Sequence, residues 1–196
     1  MTENQALDLL RRTGVMKEGH FRLTSGRHSN RYMQCAQLFQ YPEESAAACA
    51  EIADFFRDKN IDLVAGPAVG GVIMAYEIAR HLCAHGASVL NVFAEREDGI
   101  MTLRRGFDAS VKAGSRALVI EDVVTTGGSA KEVIGLLKAK GAEIVGVGSI
   151  VDRSGGTVSF GAPFHALLAM EMESWEADAC PLCREGIPVV KPGSRK

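Results

Sequence analysis

"ALVIEDVVTTGGSA", residues 117–130, decides how this chain folds. Its first four residues are apolar without a break, which is how a strand buried on both faces reads. Two adjacent carboxylates, Glu121 and Asp122, end the apolar run. After Val123 and Val124 come Thr125, Thr126, Gly127, Gly128 and Ser129, and "SAKEVIGLLKAKG" (129–141) then has the periodicity of a helix. A buried strand that feeds a helix through a glycine- and hydroxyl-rich loop is the repeating unit of a parallel sheet with crossover helices.

The rest of the chain repeats the alternation. "DLVAG" (62–66), "SVLNVF" (88–93), "IVGVGSIVD" (144–152) and "HALLAME" (165–171) read as strands, with 117–122 as a fifth. "ENQALDLLRRTG" reads as a short helix that stops at Gly14. "PEESAAACAEIADFFRDKN" starts at Pro42, carries acids in its first turn and spaces Ala46, Cys49, Ala50, Ala53 and Phe56 on one face, so it also reads as a helix. "GGVIMAYEIARHLCAHG" (70–86) is a third, ending at a glycine. The expected fold is α/β: a doubly wound, mostly parallel five-stranded sheet flanked by helices. Ligands of such folds sit at the carboxyl ends of the strands, which directs attention to 66–71, 93–105, 121–129 and 152–156.

Bulk properties remove several classes of function. A chain of 196 residues with 46% hydrophobic and 23% charged residues is of ordinary globular composition. A net charge of −2 gives no basic footprint for nucleic acid and no polybasic patch for a membrane surface. "MTENQALDLLRRTG" is too polar for a signal peptide, no apolar run approaches membrane-spanning length, and the cytoplasm is the expected compartment. The five cysteines are read as free thiols.

The chemistry of the central stretch follows from its residue types. Backbone N–H groups at a helix start carry partial positive charge and suit a phosphate. Gly127 and Gly128 let phosphate oxygens approach the backbone, and Thr125, Thr126 and Ser129 add hydroxyls. Paired carboxylates beside a phosphate make sense if the ligand also offers vicinal hydroxyls, as a ribose does, or a bound Mg²⁺. The competing reading is a plain N-capped helix, with Ser129 as the cap and the acids as solvated charges. G-x-G-x-x-G and G-x-x-x-x-G-K are both absent, so neither a dinucleotide fingerprint nor a P-loop is present.

"ALVIEDVVTTGGS" resembles the phosphoribosyl pyrophosphate (PRPP) motif of type I phosphoribosyltransferases. More narrowly, the chain resembles the orotate phosphoribosyltransferase family. "HFRLTSGRHSNRYMQ" (20–34) is similar to that family's N-terminal hood, and "AGPAVGGVIMAYEIA" (65–79) to its pyrophosphate loop and following helix. "VDRSGG" (151–156) is similar to the segment that holds the orotate carboxylate, and "CPLCREGIPVVKPGSR" resembles the tail of one bacterial branch. The resemblance implies one domain over 1–196, with a core at about 41–172 and a small hood from about 1–40 plus the C-terminal tail. It implies transfer of a phosphoribosyl group from PRPP to orotate, Mg²⁺ held mainly through PRPP, and a homodimer. Two other readings stay open: a phosphoribosyltransferase for another nucleobase, and a nucleotide-sensing regulator with the same fold.

The flanking segments supply the remaining candidates. The "GPAVGG" turn can offer backbone amides to pyrophosphate at Ala68, and Gly70 stands where the family often has a lysine. The stretch 94–116 is long for a connection and reads as a flap, with a hairpin turn at Asp98-Gly99 and cations at Arg96, Arg104 and Arg105. The family's flap carries an Arg-Lys pair, a further Lys and a His; here Glu95 and Arg96 occupy the pair and the His is missing. Glu121, Asp122 and Arg96 are the candidate catalytic residues. Residues 121–129 with Ala68 and Arg96 are the candidate PRPP contacts. Arg153 suits orotate's planar carboxylate, Tyr32 its ring, and Thr125 completes that subsite. Met33 stands at a second ring-packing position, and Thr24 replaces a lysine the family often places before the serine of "TSG". Arg27 and Arg31 face phosphate or solvent, and His28 reads as structural. Cys180 and Cys183 form one C-x-x-C without a second ligand pair at finger spacing, so they read as structural or incidental rather than as a zinc site.

Overall fold

The computed structural model describes residues 1–23 and 25–192. Thr24, the last three residues of the tail motif and Lys196 therefore lie outside the described residues. Chain order is α1 (Glu3–Arg12), β1 (Met16–Arg22), β2 (His28–Met33), α2 (Pro42–Phe55), β3 (Leu63–Pro67), α3 (Gly70–Ala84), β4 (Leu90–Glu97), β5 (Ile100–Leu103), α4 (Phe107–Ser110), β6 (Arg116–Val124), α5 (Gly128–Ala139), β7 (Glu143–Asp152), β8 (Phe164–Ala169) and α6 (Pro181–Arg184).

The main sheet has six strands in the order β5-β4-β3-β6-β7-β8. β3, β4, β6, β7 and β8 run parallel, as expected from five apolar runs joined by crossovers. The sixth strand, β5, is the return arm of the flap and pairs antiparallel with the end of β4. Its short, mixed sequence "IMTL" has no buried-strand signature because it closes the edge of the sheet rather than its centre.

Residues of β6 alternate between two cores. Leu118 and Ile120 pack with Ile52, Phe56, Met74 and Ile78 of α2 and α3. Ala117 and Val119 pack with Val133 and Leu137 of α5. Both faces are covered, so both sets of side chains must be apolar, and the unbroken "ALVI" run results. The glycines of β7 have a packing role: a Cβ at Gly146 would lie 2.3 Å from the Phe56 ring, so the absence of side chains there seats α2 against the sheet.

Several boundaries differ from the sequence reading: β4 runs on to Glu97 rather than stopping at Phe93, and two further differences bear on the site and on the packing of α2. β6 continues through Val124, because its ladder with β7 extends from Arg116–Glu143 to Val124–Asp152. Glu121 and Asp122 thus lie within the strand and not at its end. The helix expected over 42–60 stops at Phe55; a 3₁₀ turn at Arg57–Lys59 follows, and Asn60 takes a left-handed conformation (φ 49°) that reverses the chain toward β3.

β1 and β2 form a separate antiparallel hairpin, the hood, with Ser25 and Gly26 in its turn. The C-terminal tail covers both of its edges. Val190 pairs along β1, donating to His20 O (2.8 Å) and accepting from Arg22 N (2.9 Å). Trp175 pairs along β2, exchanging two 2.8 Å hydrogen bonds with His28. Among the described residues, no helix is long and apolar enough to cross a membrane.

Candidate active site

The β6–α5 junction builds a cleft of about 220 Å³ lined by Arg96, Glu121, Val123, the 125–129 loop and Glu132. α5 begins at Gly128 with Gly127 as its N-cap, and no side chain caps it. The plain capped-helix reading fails here, since Ser129 is already inside the helix. The Thr126 hydroxyl accepts a long hydrogen bond from Gly128 N (3.4 Å). The start of α5 therefore presents amides and hydroxyls to the cleft with little internal competition. Gly127 is left-handed (φ 71°), and a Cβ there would stand 2.8 Å from Val158 Cγ1.

The carboxylate pair forms one wall. Burial, and then the charge of Asp122, push the Glu121 carboxyl up to about 8. Neither Glu121 nor Asp122 takes part in a salt bridge among the described residues. Asp122 Oδ1 accepts from Val123 N (2.9 Å). Its other oxygen, Oδ2, lies where a Cβ on Gly70 would be 2.5 Å away. The start of α3 thus comes close to the Asp122 carboxylate, which would have to shift to admit a side chain at Gly70.

Arg153 emerges on the next strand. Its backbone N donates to Val124 O (2.8 Å), so the two strand ends are locked side by side. Its guanidinium makes no salt bridge among the described residues, and Nε is buried without a hydrogen-bond partner. A pairing with Asp152 is absent: Asp152 Oδ1 accepts from Ser154 N (2.8 Å) instead. Burial pulls the Arg153 pKa down from its ordinary value, against the effect of Cys35 and Tyr32. Tyr32 donates to Gln34 Oε1 (2.9 Å) and is half-buried in the hood strand β2.

Two residues of this region carry no sequence signal. Ser154 Oγ, like Arg153 Nε, is buried without a hydrogen-bond partner. The Cys35 thiol is held well above its ordinary value by burial first and by Asp122 second, so it is a neutral, unreactive group within electrostatic reach of the acids. Burial becomes visible only once the hood is folded over the sheet.

The flap is an ordered hairpin turned by Asp98 (φ 49°) and Gly99 (φ 83°), as the Asp-Gly signal indicates. Its cations are paired with acids. Arg96 makes a two-pronged ion pair with Glu132 of α5 (2.8 and 3.0 Å) at the rim of the cleft. Arg104 and Arg105 pair with Glu95 and Glu97. Arg27 is committed elsewhere: it pairs with Glu176 and donates to Ser174 Oγ (2.9 Å), tying hood to tail.

Known proteins agree with this geometry. The phosphoribosyl transferase domain family matches residues 37–175. The orotate phosphoribosyltransferase of Caldanaerobacter subterraneus subsp. tengcongensis is 51% identical over 196 residues, covering all of both chains. That of a Thermoanaerobacter species is 53% identical, again over the full length of both. The chain belongs to the orotate phosphoribosyltransferase family. The Mycobacterium tuberculosis orotate phosphoribosyltransferase, solved in complex with PRPP, has the same fold at 23% identity, with a TM-score of 0.66 over 85% of this chain and 95% of that one. Members of the family share the type I phosphoribosyltransferase sheet, and in this chain the 125–129 loop and Arg153 follow the carboxyl ends of β6 and β7, with the acids just inside the end of β6.

Proposed function

We propose that the chain transfers the phosphoribosyl group of PRPP to N1 of orotate, yielding orotidine 5′-monophosphate and pyrophosphate, with the residues of the β6–α5 and β7 ends in the roles given below. The observation that carries this reading is the half-buried Arg153, whose guanidinium makes no salt bridge among the described residues and whose backbone is bonded to Val124, the residue before the 125–129 loop. A planar carboxylate satisfies a guanidinium through two parallel hydrogen bonds, and orotate is the pyrimidine that brings one.

The 125–129 loop and the start of α5 take the 5′-phosphate. Glu121 and Asp122 take the ribose hydroxyls; a Glu121 carboxyl with a pKa of about 8 keeps its proton at neutral pH and can donate as well as accept. Arg153 takes the orotate carboxylate, Thr125 borders the same subsite, and Tyr32 lies against the ring. Orotate is anionic beside its attacking nitrogen, so no strong protein base is needed. The protein's task is to align N1 with the anomeric carbon and exclude water while pyrophosphate departs. The backbone at Ala68 and the Arg96 side chain receive that leaving group once Arg96 exchanges Glu132 for phosphate oxygen, a motion the flap hairpin permits.

The donor set fits Mg²⁺. Asp122 offers a carboxylate that forms no salt bridge among the described residues, and hard oxygen donors suit that ion, which is held mainly through PRPP. When bound with PRPP, Mg²⁺ supplies charge neutralisation for the pyrophosphate. A homodimer is part of the same proposal. Val69, Ile73 and Tyr76 form an exposed apolar row at the start of α3 (78%, 43% and 61% exposed), at the spacing of one helix face. The cytoplasm is the compartment we assign, in keeping with five free cysteines.

Incubation with PRPP, Mg²⁺ and either orotate, uracil, adenine or hypoxanthine tests the activity. Orotidine monophosphate is expected from orotate alone. Turnover of a purine, or no turnover of any base, would refute the reading.

A further inference from the structure

We propose that His20, His28, Cys180 and Cys183 form a four-ligand Zn²⁺ site that clamps the C-terminal tail to the hood. Their ligand atoms all lie within 4.8 Å of one another. His20 Nε2 is 3.5 Å from Cys180 Sγ, 3.7 Å from Cys183 Sγ and 2.8 Å from His28 Nδ1, and Cys183 Sγ is 3.3 Å from His28 Nδ1. Tetrahedral zinc, with Zn–S of about 2.3 Å and Zn–N of about 2.0–2.1 Å, sets nitrogen and sulfur ligands about 3.6 Å apart. The three nitrogen–sulfur distances bracket that value.

A second observation fixes the chemistry of one ligand. His20 Nδ1 stands 2.7 Å from the Ile187 carbonyl oxygen. A carbonyl only accepts, so Nδ1 carries the proton and Nε2 turns a bare lone pair toward His28 and the two sulfurs. A backbone carbonyl that fixes a ligating imidazole from behind is the usual outer support of a zinc site. His20, His28 and Cys180 are buried, at 3%, 6% and 0% exposure, while Cys183 at the surface leaves a way in for the ion. Two thiolates with two imidazoles select zinc over hard cations. On binding, each thiol gives up its proton to solvent, and the proton that His28 Nδ1 shares with His20 Nε2 moves to His28 Nε2 through solvent, which leaves both facing nitrogens free to ligate.

Under this proposal the C-x-x-C, which reads from sequence as structural or incidental, is one half of a ligand set. Its second pair is not at finger spacing: His20 and His28 are 8 residues apart on facing hood strands, and Cys180 is 160 residues from His20. Strand pairing and the tail's return bring the two pairs together.

The site lies outside the phosphoribosyl machinery, so its test is independent of the activity. Elemental analysis of full-length protein expressed in zinc-supplemented medium is expected to give about one zinc per chain. Cys180→Ser/Cys183→Ser is expected to retain less than a tenth of that, while Cys83→Ser retains all of it. If the double variant fails to fold, Co²⁺ added to the metal-stripped, reduced wild type decides: thiolate-to-cobalt absorption at one equivalent supports the site. Absence of both zinc and cobalt binding, equal zinc in the double variant, or a Cys180–Cys183 disulfide in protein isolated without air would overturn the proposal.

Discussion

Arg153 shows how a single side chain ties base choice to the fold. Its charge is half-buried and makes no salt bridge among the described residues, an arrangement that a ligand anion would stabilise. Arg153→Ala is expected to raise the orotate KM about tenfold to a hundredfold, from the ~1.5–3 kcal/mol of a charged hydrogen bond, with the PRPP KM much less affected. Steady-state kinetics check it, and Arg153→Lys should recover only part of the loss because a point charge cannot bind a carboxylate in two prongs. Glu121 gives a pH signature. Its pKa is about 8 in the folded chain against an ordinary 4.5, so the folded state holds the proton more tightly. That contribution to stability is full below 4.5 and is lost as pH rises through about 8, on the order of a few kcal/mol. In buffer free of Mg²⁺ and substrate, the Tm should fall from about pH 5 to about pH 9, and Glu121→Gln should flatten that fall. The acids, the loop and Arg153 were legible as residue types in a linear string. Ser154 and Cys35 were not, because what distinguishes them is burial beneath a distant segment.

At the level of elements, α5 depends on Gly127. An alanine there would hold a left-handed conformation, at about 1–2 kcal/mol, and press its methyl against Val158. Gly127→Ala is expected to lower the Tm and raise the PRPP KM together, with the orotate KM less changed; thermal melts and kinetics read this out. The parallel strands were readable because two covered faces demand apolar residues at every position. β5 was not readable as a strand, since an edge arm of a flap needs no apolar face, although its turn was marked by Asp98-Gly99. The extent of β6 was also hidden: acids normally end a buried strand, but here ladder bonds to β7 carry it on to Val124.

For the whole molecule, the apolar row Val69, Ile73 and Tyr76 is the feature that a single copy leaves uncovered. Sedimentation is expected to show a dimer, and Tyr76→Glu to shift it toward monomer. A dimer unaltered by that change would place the contact elsewhere. The doubly wound core was legible from periodicity alone. The hood was visible only through resemblance, because its hairpin has no core of its own: it is completed by the tail on both edges and by the Arg27 ties to Ser174 and Glu176.

That closure sets an order on the birth of the protein. The hood strands are made before the sheet, yet the segments that flank them, at Trp175 and Val190, are made after it. The sheet can assemble during synthesis, as nascent chains generally do. The cover that carries Tyr32 must wait until those flanking segments have emerged, so a chain cut before Trp175 is expected to keep a formed core beneath an unfinished roof.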